Sequence, residues 1–68
     1  MESIWQVTAN HDRWGWWYEA QRMERDGNQL VKAHGPDGWL MNGPCETEAE
    51  AYDLARADLF ERGADCVY

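Results

Sequence analysis

The chain has 68 residues, 44% of them hydrophobic, and its thirteen acidic side chains against six basic ones give a formal net charge of −7. A length of this order supports one buried core, so a single domain over residues 1–68 is expected. The charge argues against direct binding to nucleic acid or an anionic membrane, because both are held by Lys and Arg neutralising phosphates.

Along the chain, residues 3–9 alternate. Trp5, Val7 and Ala9 fall on one face and Ile4, Gln6 and Thr8 on the other, the period-2 pattern of a strand. Asn10-His11-Asp12-Arg13 reads as a turn, and residues 14–23 as a second, aromatic strand. In it Trp14, Trp16, Tyr18 and Ala20 share one face and Trp17, Glu19, Gln21 and Met23 the other. Asp26-Gly27 suits the positive φ of a tight hairpin turn and leads into a third strand at residues 29–33. Gly35-Pro36-Asp37-Gly38 predicts another turn, then a short fourth strand at residues 39–41 that Asn42-Gly43-Pro44 brings to an end.

The period then changes. Thr47 with Glu50 fits a capping box, Glu48 and Glu50 suit the positive end of the helix dipole, and Gly63 stands where a C-cap glycine belongs. One helix is expected from about residue 48 to about residue 62, with Ala51, Tyr52, Leu54, Ala55 and Leu59 as its apolar stripe. Asp58 interrupts that stripe, Glu50, Asp53 and Glu61 gather on the outward side, and residues 64–68 either add an edge strand or pack down. The predicted fold is therefore α+β, a three- to four-stranded antiparallel meander packed on one C-terminal helix.

Five tryptophans, three tyrosines and Phe60 supply the core mass that so short a chain needs. Cys45 and Cys66 are too few for the disulfide framework of a small secreted domain, no basic leader opens the chain, and no stretch nears ~20 apolar residues. A soluble, cytoplasmic protein is the expectation, as a monomer.

No nucleophile with a neighbouring base can be assembled from Ser3, Thr8 and Thr47, so no enzyme, and no cofactor, is expected. His11 and His34 lie in predicted loops without metal-ligand spacing, and no metal site is assigned to them. The aromatic run is assigned to packing under the helix, except Trp17. With one helix covering one face, Trp17 either clusters with Ile4 and Met23 or stands exposed as a protein-binding group. The acids of the helix and adjoining loops form a line of negative charge that a DNA-binding cleft could accept in place of a phosphate backbone. The partner-binding residues expected are Glu46, Glu48, Glu50, Asp53 and Glu61, with Asp26 and Asp37 in loops and Trp17 on the sheet. Asp58 and Asp65 belong to the same line.

Two resemblances accompany this reading. The element order, with Gly43-Pro44 and the helix start Thr47-Glu48-Ala49-Glu50-Ala51, is similar to the RNase-H-like domain of HicB-type antitoxins. That likeness implies an antitoxin or adaptor module using an exposed aromatic sheet face. In size, charge and lack of a catalytic set the chain resembles the small acidic phage-encoded inhibitors of the anti-CRISPR kind. That resemblance implies a stoichiometric inhibitor that mimics DNA, binds a basic nucleic-acid-binding protein or complex such as a CRISPR effector, and works in the host cytoplasm.

Overall fold

The computed structural model describes residues 2–68, the side chain of Pro36 excepted. Strands β1 (Ile4–Asp12) and β2 (Gly15–Asp26) form an antiparallel hairpin with Ile4 opposite Met23 and Asp12 opposite Gly15. The turn is shorter than the sequence suggests, because Asn10 and His11 stay in the ladder opposite Trp17 and Trp16. Asp12 alone makes the reversal: its Oδ1 accepts the N–H groups of Trp14 at 2.8 Å and Gly15 at 3.2 Å, the local bonding that favours Asp in turns. Trp14 consequently belongs to the turn. It is 65% exposed, with the Arg13 guanidinium carbon 4.1 Å from its ring centroid, so the expected core position on the second strand is corrected.

Strand β2 continues past Met23, and β3 (Gln29–Lys32) pairs antiparallel with its far end, Asp26 opposite Gln29. The two-residue connection Gly27-Asn28 has positive φ at Gly27 alone, the glycine-first pattern of a type II′ turn. After a 3-10 turn at Pro36–Gly38, strand β4 (Trp39–Cys45) comes back to β2, not to β3. The twelve residues of β2 are the reason: β3 occupies only Met23 to Asp26, leaving the same edge open from Gln21 to Trp16 for β4.

Asn42-Gly43-Pro44 does not end this strand. A register shift opposite Trp16 and Tyr18 absorbs it, Asn42 Oδ1 accepts the Gly43 N–H at 2.9 Å, and Pro44 stands on an outer strand where no ladder donor is missed. Strand β5 (Cys66–Val67) pairs parallel with Ile4 and Trp5. The sheet is thus five-stranded and mixed, where a purely antiparallel meander of three or four strands was expected.

Helix α1 (Glu48–Glu61) starts where the cap predicts, Thr47 Oγ1 accepting the Glu50 N–H at 3.1 Å. The Glu50 carboxylate reaches back to the Glu46 N–H at 3.2 Å, one residue before the expected partner. At the other end Gly63, with φ +90°, closes a Schellman motif: its N–H donates to the Phe60 carbonyl and the Ala64 N–H to that of Leu59, both at 3.0 Å.

Ala51, Ala55 and Leu59 press α1 on Trp5, Val7, Tyr18 and Ala20, and these seven side chains make the core. Asp58, which seemed to spoil the apolar stripe, accepts the Tyr18 hydroxyl at 2.7 Å and Asn42 Nδ2 at 3.1 Å through Oδ2, which satisfies the polar tip of a buried ring. No helix among the described residues is long and apolar enough to cross a membrane.

Candidate functional site

The fold sorts twelve of the thirteen carboxylates into three groups, Asp53 belonging to two of them, and leaves Glu19 on the sheet face opposite α1. Glu2, Glu24 and Asp53 lie in ion pairs with Arg25 at 2.7 Å, Arg22 at 3.6 Å and Arg56 at 3.0 Å. The hydrogen bonds from Arg25 hold the Glu2 carboxyl below its usual range, and the same contact raises Arg25.

A second group does structural work: Asp12 in its turn, Asp58 under Tyr18, and Asp65, whose Oδ2 accepts the Ser3 N–H at 2.8 Å. At Asp12 desolvation pulls the carboxyl upward, but the Trp14 and Gly15 N–H groups and the nearby Trp17 indole outweigh it, and the net shift is downward. Asp58 and Asp65 each turn Oδ2 to donors of the protein itself, Asp58 half-buried against the sheet and Asp65 still exposed.

The third group remains on the outside. Glu46, Glu48, Glu50 and Glu61 are exposed on α1 and its entry, and Asp53 stands between them with Arg56 beside it. Asp26 is at the tip of the β2–β3 hairpin and Asp37 in the 3-10 turn, both exposed. Glu50, Asp53 and Glu61 lie on the side of the helix away from the sheet, whereas Glu48 stands at the helix start in line with the buried Ala51, Ala55 and Leu59 and Glu46 precedes the cap. Asp26 and Asp37 lie on connections outside the helix. Phe60, 51% exposed, shares the outward side and breaks the acidic surface there.

Trp17 takes neither of the two places expected for it. It is six residues from Met23 along β2, roughly 20 Å of extended chain, too far to cluster with Met23 and its neighbour Ile4. It is half-buried at the opposite end, where a Cβ at Gly43 would lie 3.0 Å from its ring, so the missing side chain makes the room for the indole. Its Nε1 is buried near enough to the Asp12 carboxylate to favour that charge, but makes no hydrogen bond of good geometry.

The apolar groups left exposed are others: Trp39 at 50%, Met41 at 50%, Leu30 at 40% and Tyr68 at 65%. Strand register puts Trp39, Met41 and Leu30 on the sheet face opposite α1, and Tyr68 borders the same depression as Gln6, Met23 and Leu30. The alternation Trp39-Leu40-Met41 carries that signal in the sequence, since Leu40 then points to the helix and its neighbours away from it.

Among the described residues no group of three or more His, Cys, Asp or Glu side chains converges as a metal site. His11 stacks on Trp16 with ring centroids 4.7 Å apart, and His34 is exposed. Cys45 and Cys66 are free thiols, both half-buried. Comparison of the chain with protein-family models, with curated proteins and with solved structures returned no match.

Proposed function

We propose that this protein is a non-catalytic binding protein, a stoichiometric inhibitor whose acidic surface stands in for a nucleic acid and blocks DNA recognition by a basic nucleic-acid-binding complex, of which a CRISPR effector is the proposed kind. The observation that supports the reading is the set of exposed carboxylates along one helix: Glu46, Glu48 and Glu50 at its start, Asp53 midway and Glu61 at its end. Fourteen helical residues extend about 21 Å, the axial span of about six phosphates of one DNA strand. Arg and Lys that grip a phosphate backbone would meet carboxylates over a comparable length, and the surrounding net charge of −7 would steer the encounter. Single exposed ion pairs contribute only about 0–1 kcal/mol, so the surface acts through several carboxylates together.

The test uses isosteric neutral variants, which keep the hydrogen bonds of the helix entry. A tagged chain is used for capture from host lysate, with low- and high-salt washes and a challenge by competing DNA. The expected outcome is a nucleic-acid-binding protein retained at low salt, released by salt or DNA, and lost with Glu48→Gln, Glu50→Gln and Glu61→Gln together. Retention through both high salt and DNA, or by the triple variant, overturns the reading.

A further inference from the structure

The sheet has one helix for its two faces. Opposite α1, the register of β1, β2, β3 and β4 sets out three rows: Thr8, Glu19 and Met41; then Gln6, Gln21 and Trp39; then Ile4, Met23 and Lys32, of which Ile4 is already buried within the chain. Glu19, Lys32 and Trp39 border one shallow depression. Within these rows there is one acid and one base, so this face is electrically balanced on a molecule whose net charge is −7. Neither Glu19 nor Lys32 is in an ion pair among the described residues.

We infer that this bare face is the interface of a symmetric dimer, its occupant a second copy of the chain. Three observations select that occupant. The first is charge. A two-fold axis along the row Gln6, Gln21 and Trp39 brings the row of Thr8, Glu19 and Met41 onto the row of Ile4, Met23 and Lys32 of the second copy. The Lys32 stem then covers Met41 of the other chain, and its ammonium reaches the neighbouring Glu19 one strand away, about 5 Å. The exchange occurs twice, and the two Trp39 rings meet at the axis. The acidic helices are left on the two outer sides, with the sheets between them about 10 Å apart, so like charges are kept away from each other.

The second observation is area: the molecule measures 39 × 21 × 20 Å, so its broad face spans at most on the order of 800 Å², an upper bound that reaches what each partner contributes to a standard interface. The third is the modest core. Its buried hydrophobic side chains are Ile4, Trp5, Val7, Tyr18, Leu59 and four alanines, and a single core below roughly 70–80 residues leaves a fold marginally stable, a shortfall that oligomers remedy. The proposed dimer departs from the monomer that the sequence predicts, needs no target and is independent of the inhibitor reading.

Sedimentation equilibrium on the whole purified chain over a concentration series tests it. The expected result is twice the chain mass, falling toward one chain mass on dilution, and one chain mass throughout for Trp39→Lys with its helical circular dichroism retained. Glu19→Lys and Lys32→Glu should each weaken the dimer by roughly tenfold, since every exchange affects two ion pairs, and the double variant should restore it. The charge exchange decides the matter if Trp39→Lys fails to fold. A single chain mass up to about 1 mM, as for a face that takes a different protein, overturns the inference. So does a dimer that the double exchange fails to restore.

Discussion

Strand β2 passes through two environments. From Trp16 to Ala20 it lies under α1, and Tyr18 and Ala20 are almost fully enclosed. From Glu24 to Asp26 it runs on with β3 as a two-stranded arm, and all four residues of β3 are exposed, Leu30 and Val31 included. Both halves are regular antiparallel strand; what differs is that Trp16, Tyr18 and Ala20 meet a second layer, whereas the charged Glu24, Arg25 and Asp26 have none above them. Most burial in so small a domain thus follows the reach of one helix, Ile4 and Ala33 being enclosed outside it.

The comparison breaks most visibly at Leu59, which is fully buried between helix and sheet. Leu59→Ala should cost about 2–5 kcal/mol, comparable with the whole stability of a chain this short, and a chemical denaturation curve should lose its cooperative transition. Next in size is Tyr18→Phe, which deprives Asp58 of a charge-assisted hydrogen bond and should cost about 1.5 kcal/mol in the same assay.

The same pair sharpens the comparison through pH. Burial, then the bond to the Asp58 carboxylate and its charge, push the Tyr18 phenol from 10.0 up to about 12. A raised pKa in the folded state favours the protonated form, so this stabilisation is complete below about pH 10 and disappears as the pH climbs through about 12. Phenolate absorbance followed against pH should show one late-titrating group, absent from Tyr18→Phe.

Thr47→Ala should cost about 1 kcal/mol by loss of the cap at the start of α1, read as a lower melting temperature. The smallest effect belongs to the arm. Val31→Ala, on the helix side of the sheet but beyond the helix, should change stability by less than about 1 kcal/mol. Amide exchange should be faster in β3 than at the centre of β1, and equal protection in the two strands would refute the division.

Much of the helix was legible in the sequence because its signals are local. Thr47 as cap, the stripe of Ala51, Ala55 and Leu59, and the closing Gly63 lie within a few residues of the groups they bond or cover. The same holds for the Asp26-Gly27 turn. The exposed acids Glu46, Glu48, Glu50 and Glu61 were also visible, since charge and helical spacing keep such side chains in water.

What the sequence did not decide is which groups meet across the sheet. That β4 joins β2 beside β3, that β5 lies parallel to β1, that Asp58 finds Tyr18, and that Trp17 fits over Gly43 all depend on partners far along the chain. The sequence by itself determined an acidic chain with strands first and a capped helix last, because composition, period and capping are properties of neighbours. Only the tertiary structure decided which carboxylates are used internally and which apolar groups the single helix leaves uncovered, because both follow from distances between residues that the chain order holds apart.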